Sequence, residues 1–182
     1  MEDKVYRQGR TVFLSGVITQ ESAGEVINHL LALIQYDDQE DEKQKEYKRE
    51  DIKLFIKSNG GNVSDMFGMI DLIENSKTPI NTYAIGNIAS AAVPLFMSGK
   101  KRYIYKNTEV MIHTCSGGVR GKIQDISEYV SNAEETQKMI DRYILSKSKI
   151  TKERLDEVRE KKLDWYLYAN EAVRLGIADK IL

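Results

Sequence analysis

Residues 52–85 read IKLFIKSNGGNVSDMFGMIDLIENSKTPINTYAI, and this stretch decides the fold class. Ile52, Leu54 and Ile56 recur with a period of two, which predicts a strand over Ile52–Ile56. Ser58-Asn59-Gly60-Gly61 then supplies a turn. Ser64 stands where a helix N-cap belongs, ahead of Met66, Met69, Ile70 and Ile73 at helical spacing. Pro79 cannot continue a helix, and Ile80 to Ile85 reads as the next strand. Strand, helix and strand in this order predict a βαβ unit, hence an α/β domain with a largely parallel sheet.

The same alternation extends outward. Upstream, Thr11 to Leu14 reads as a strand, and Val26, Leu30, Leu33 and Ile34 mark an amphipathic helix over Ser22 to Gln35. Downstream, a short helix is expected from Ser90, then a strand pair over Arg102 to Tyr105 and Glu109 to His113. A long helix begins near Lys122, with Ile123, Ile126, Val130, Met139, Ile140 and Tyr143 on its buried side. Thr151 caps a shorter helix, and the chain closes with a helix over 170–175 and a strand from Ala178 to Leu182. Residues 37–51 (DDQEDEKQKEYKRED) interrupt this rhythm with twelve charges in fifteen positions, and read as a solvated loop or a helix extension.

Composition narrows the function classes. A chain of 182 residues with 41% hydrophobic and 30% charged residues is long enough for one domain with a hydrophobic core. The net charge of −1 leaves no basic footprint for nucleic acid and no pull toward anionic membranes. Met1-Glu2-Asp3-Lys4 lacks the apolar core of a signal peptide, so a cytoplasmic location is expected. Cys115 is the one cysteine, which excludes an internal disulfide and a cysteine-based zinc site; neither cofactor nor metal is expected.

Two histidines make the search for a general base short. His29 lies within the first amphipathic helix, beside no polar constellation. His113 ends an apolar strand and runs into Thr114-Cys115-Ser116-Gly117-Gly118, where small residues open the backbone to a ligand. Ser90, in Gly86-Asn87-Ile88-Ala89-Ser90-Ala91-Ala92, falls at a strand-to-helix turn, where unpaired N–H groups favour a developing oxyanion. Its ordinary reading is an N-cap serine, and a nucleophile is the sharper alternative. Gly60-Gly61 reads as a tight turn, an oxyanion donor or both. Cys115 reads as a small residue lining the same cleft.

The order of these pieces resembles the ClpP family of serine peptidases, over Thr11 to Leu182. The anchors are Ile56 to Val63, like the family's strand and glycine turn, and Gly86 to Ser90, like its nucleophile turn. Arg102-Tyr103 and Asn107 lead into Val110 to His113. Gly117 to Gly121 is similar to the strand that opens the handle, and Asp164 to Ala172 to the C-terminal block. The resemblance implies a crotonase-like spiral of βαβ units, as one domain over 1–182, with a handle over about 114–147. It implies Ser90 as nucleophile, His113 as base and Asp164 as its orienting carboxylate. It implies an oxyanion hole from the backbone of Gly61 and Ala91. Gly60, Asn62, Val63, Gly117, Gly118 and Val119 would hold an extended polypeptide substrate by strand addition. Heptameric rings, stacked as a tetradecamer, and an AAA+ unfoldase ATPase as partner are implied as well. The alternatives are a catalytically impaired ring or scaffold subunit, and a crotonase-fold enzyme handling acyl-CoA.

Four departures from the family pattern accompany the resemblance. The N-terminal pore segment is expected to be nearly absent, with the first strand about ten residues in, and 37–51 looks like an insertion. Ala91-Ala92-Val93-Pro94 replaces a Met-Gly-Ala-aromatic run, and Pro94 is expected to distort the following helix slightly. Leu163 stands where relatives carry an arginine used in ring contacts.

Overall fold

The computed structural model describes residues 4–182. Its first half runs β1 Lys4–Gln8, β2 Thr11–Ser15, α1 Gln20–Lys43, β3 Ile52–Ser58, α2 Val63–Asn75, β4 Ile80–Ala89 and α3 Ala92–Met97. Its second half runs β5 Arg102–Ile104, β6 Glu109–Ile112, α4 Ile123–Lys147, α5 Lys152–Glu160, β7 Trp165–Tyr168, α6 Ala169–Arg174 and β8 Lys180–Ile181. The sheet order is β1-β2-β3-β4-β5-β8, with parallel pairing along it except for β1, which lies antiparallel to β2. The expected βαβ architecture is therefore observed. No helix among the described residues is long and apolar enough to cross a membrane.

Alternation along β3 explains how the layers assemble. Leu54 and Ile56 are fully buried and pack with Met66, Met69 and Ile70 of α2 in one hydrophobic cluster. Phe55 points to the other face of the sheet, where it stacks on Tyr83 at 4.6 Å between ring centroids, and Tyr83 stacks on Tyr103 at 4.9 Å.

Strand β4 does more than the sequence predicts. It continues four residues past Ile85, and its two halves serve different neighbours. Thr82–Ala84 pair with β5, while Asn87–Ala89 pair with β6. Gly86 stands between the halves at φ +73°, a conformation that suits glycine and lets the strand change partners. Strands β5 and β6 consequently do not pair with each other, contrary to the expected strand pair. Strand β6 is instead flanked by β4 and by β7, an antiparallel strand that the sequence reading missed.

Several boundaries also move. The expected first strand is β2, and β1 before it is a strand the sequence reading did not predict. The cap of α2 is Asn62, whose side chain accepts from the Asp65 N–H, in place of Ser64. The last strand shrinks to Lys180–Ile181. Pro94 occupies the first turn of α3, where its missing N–H is not needed, and Val93 before it donates to the Ser90 carbonyl.

The charged stretch is only partly a solvated appendage. Its first seven residues extend α1, in line with one of its two readings, but Asp37 is fully buried. It accepts two bonds from Arg10, at 3.0 and 2.7 Å, and one each from Tyr47 and Thr78 at 2.7 Å. Burial alone would raise its pKa, but these bonds outweigh that and hold its carboxyl below the usual value.

Helix α4 departs most from expectation. Ile140 and Ile144 are buried, but Ile123, Ile126, Val130 and Met139 are exposed, Ile123 to 86%. Periodicity reports that an apolar stripe exists, and says nothing about what covers it. The stretch 113–121 forms no strand, so the glycine-rich strand expected there is absent; among the described residues no neighbouring strand lies alongside to pair with it.

Candidate active site

The sheet register alone brings three distant residues together. In the β4–β6 ladder, Ala89 lies opposite Met111, and the next residue, Ser90, donates its N–H to the Met111 carbonyl at 2.9 Å. In the β6–β7 ladder, Ile112 lies opposite Trp165. One step further in each antiparallel strand are His113 and Asp164. The ends of β4 and β6 and the start of β7 therefore converge on one point.

Ser90 is not the helix-start residue that its sequence suggests. The N-cap of α3 is Ala91, and a helix of six residues contributes little dipole. What distinguishes Ser90 is its backbone, held at φ +55°, one of two non-glycine residues in the left-handed region among those described. Such a conformation costs about 1–3 kcal/mol and persists only where the surroundings enforce it, most often at functional sites. Here the turn aims Oγ at the imidazole: His113 Nε2 lies 2.8 Å from Ser90 Oγ. Asp164 Oδ1 stands 3.7 Å from His113 Nδ1, outside hydrogen-bond range, and its side chain is 58% exposed.

The glycine turn closes the other side. A Cβ on Gly60 would sit 2.7 Å from Ser90 Cβ, 2.8 Å from the Ala89 carbonyl oxygen and 2.9 Å from the Ala91 nitrogen. Only glycine allows so close an approach. Gly61 is locked against Ile18: Ile18 donates to the Gly60 carbonyl, and Asn62 donates to the Ile18 carbonyl, both at 2.8 Å. No acceptor among the described residues takes the N–H of Gly61 or of Ala91. Gly61 and Ala91 directly follow Gly60 and Ser90, the two residues that meet in this contact.

Beside Ser90 is a small pocket of about 20 Å³ whose walls include Val63, Val93, Ile112, Ile140, Ile144 and Arg159. It shares Val63, Cys115 and Arg159 with a cleft of about 710 Å³ that runs between residues 114–117 and α4. Cys115 lines both, as expected, and burial pushes its thiol pKa up, against a smaller opposing pull from Arg159. Of the residues expected to bind a substrate strand, Gly60 packs on Ser90, Val63 lines both cavities and Gly117 lines the cleft. Gly118 and Val119 are exposed outside it, and Asn62 caps α2. His29 lies on α1 among no catalytic groups. Sequence reading did not find Arg159, one of two arginines in a charged helix with nothing local to single it out.

Comparison with known proteins places this arrangement. Residues 3–182 match the family model described as Clp protease. The ATP-dependent Clp protease proteolytic subunit 1 of Rhodopirellula baltica is 29% identical over 177 residues, 96% of this chain and 73% of the relative. Proteolytic subunit 3 of Rhizobium meliloti is 32% identical over 178 residues, 96% of this chain and 84% of the relative. Among solved structures, a point mutant of ClpP1 from Listeria monocytogenes superposes with a TM-score of 0.79 at 27% identity. That match covers 95% of this chain and 91% of the other, so the fold is that of ClpP, the crotonase-like spiral.

Proposed function

This chain belongs to the Clp protease family, and from that premise we propose that it is a serine endopeptidase cleaving unfolded polypeptides through an acyl-enzyme. The observation that carries this reading is Ser90 itself, a strained residue whose Oγ lies 2.8 Å from His113 Nε2. His113 takes the Oγ proton as Oγ attacks the scissile carbonyl, and returns it to the leaving amine. Water, deprotonated by the same imidazole, then releases the acyl group. The N–H groups of Gly61 and Ala91 receive the oxyanion. Asp164 steadies the imidazolium and accepts a hydrogen bond from Nδ1 once its side chain swings inward.

The substrate backbone adds alongside residues 117–119, whose peptide groups have no ladder partner among the described strands, and against Gly60 to Val63. The whole of 1–182 acts as one peptidase domain. Copies assemble into heptameric rings stacked in pairs, which covers the apolar stripe of α4. An AAA+ unfoldase feeds the chamber in the cytoplasm.

A serine-directed fluorophosphonate tests the chemistry. Adduct mapping by mass spectrometry is expected to find Ser90 modified in the wild type, with neither modification nor cleavage of casein in Ser90→Ala. Equal casein cleavage by both proteins would sink the assignment.

A further inference from the structure

Residues 114–121 run from His113 toward α4 with little to hold them. They join no strand, and among the described residues their single hydrogen bond runs from the Cys115 N–H to Gln137 Oε1 at 2.7 Å. That bond lies two residues beyond His113, where β6 has already ended at Ile112. Gln137 can accept there because its amide is turned the right way. Its Nε2 donates to Asp141 Oδ1 at 2.8 Å, which leaves Oε1 facing the segment. A carboxylate only accepts, so it decides which end of the amide faces it.

The same carboxylate oxygen holds a second segment. Arg159 of α5 donates to Asp141 Oδ1 from Nη2 at 2.7 Å and from Nε at 3.2 Å, and both side chains are partly buried. Arg159 stands in the last turn of α5, and its carbonyl belongs to the turn that closes the helix. Lys162, at φ +50°, donates to that carbonyl at 3.1 Å, and Leu163 donates back to the Val158 carbonyl at 3.0 Å. These two bonds form a Schellman motif, and the residue after it is Asp164. A hydrogen-bonded turn therefore connects the pinned guanidinium to the carboxylate that faces His113. Asp141 has a fixed seat, since Ile140 and Ile144 of the same helix are buried in the core.

We propose that Asp141 and Gln137 are positioning residues that set the spacing between His113 and Asp164. The proposal rests on the reading of Ser90, His113 and Asp164 as the catalytic groups. The β6–β7 ladder stops at Ile112 and Trp165, one residue short of each, so beyond it the pair depends on these tethers. The separation they hold, 3.7 Å between Asp164 Oδ1 and His113 Nδ1, lies just outside hydrogen-bond range. A small shift of either segment opens or closes it, and a displacement of about 1 Å near reacting groups can cost about a hundredfold. Gln137 and Asp141 also line the cleft of about 710 Å³. A contact with substrate would show in KM, whereas spacing of the imidazole and its carboxylate shows in kcat.

The test uses the assembled full-length protein, a fluorogenic peptide and the fluorophosphonate. Gln137→Met keeps the side chain's length and every charge while removing both of its bonds. It is expected to lower kcat and the labelling rate of Ser90 by about tenfold, with KM within about twofold of wild type and thermal melting confirming the fold. Asp141→Ala is expected to lose more, because Arg159 and Gln137 both come free; where it fails to assemble, Gln137→Met decides alone. In an Asp164→Asn background, Gln137→Met is expected to cost less than about threefold further, since the spacing then has no carboxylate to set. Wild-type kinetics in Gln137→Met would overturn the proposal, and so would losses that simply multiply in the double variant. A loss confined to KM would overturn it in favour of a substrate contact. All three leave the peptidase reading standing while wild type is labelled at Ser90. Absence of labelling and of cleavage in wild type would overturn that reading and the proposal with it.

Discussion

Gly60→Ala probes how the nucleophile is held, and its outcome can be worked from distances. At φ +93° an alanine would be strained by about 1–3 kcal/mol whatever the space around it. Space is also lacking, because the new Cβ would lie 2.7 Å from Ser90 Cβ, 2.8 Å from the Ala89 oxygen and 2.9 Å from the Ala91 nitrogen. Two of those three atoms are backbone and cannot rotate away, so overpacking adds about 1–3 kcal/mol. The sum, about 2–6 kcal/mol, lowers the melting temperature by roughly 5–20 °C for a chain of this size. Relief of the clash must move Ser90 or Ala91, which carry the nucleophile and an oxyanion donor. A shift of that kind slows fluorophosphonate labelling of Ser90 by about a hundredfold. Gly68→Ala is the control: it lies within α2, has nothing within 4 Å, and is expected to stabilise by about 0.5–1 kcal/mol. Scanning calorimetry and a labelling time course read both quantities. Should Gly60→Ala melt within about 2 °C of wild type and label at the same rate, the close approach does not position Ser90.

Asp164→Asn is expected to lower kcat/KM by about 10- to 100-fold, because an exposed carboxylate 3.7 Å away contributes about 1–3 kcal/mol to the imidazolium. A loss near ten-thousandfold, roughly that of a fully closed triad, would mean that Asp164 is engaged far more tightly during turnover. Asp37→Ala is expected to cost about 2–4 kcal/mol in urea denaturation at neutral pH, since it strands Arg10 and two hydroxyl groups around a buried site. The Asp37 carboxyl titrates lower in the folded chain than in the unfolded one, so its stabilisation is complete above the ordinary carboxylate value near about pH 4. It is lost as pH falls through the depressed folded value, so the gap between wild type and variant must narrow in acid. A gap that widens would contradict the assignment.

The site was legible to different depths. Ser90, His113 and the glycine pair stood out because each combines a reactive or permissive residue with a strand end, and chemistry with few candidates is easy to search. The reason attached to Ser90 was nevertheless incomplete. The dipole of a short helix matters less than a left-handed backbone braced by Gly60, and the contact that enforces it joins residues about thirty positions apart. Asp164 came from family resemblance, since nothing local separates one carboxylate from the many in this chain. Arg159 was invisible for the same reason: charge is common, while a guanidinium pinned to a carboxylate on another helix is defined only by what surrounds it.

By itself, the sequence determined the local elements and their layering. Periods of two and 3.6 residues, glycine turns and caps encode which face of each segment is apolar, and those faces can meet only in a βαβ arrangement. Tertiary structure decided partnership. Gly86 lets β4 pair with β5 in one half and β6 in the other, and β7 joins β6 in a register that sets Asp164 across from His113. It also decided that Asp37 is buried within a charged stretch and that most of the apolar stripe of α4 stays exposed. Local pattern fixes how a segment folds because those interactions span a few residues. Which segment lies beside it depends on contacts summed over the whole chain, and the active site is assembled from those.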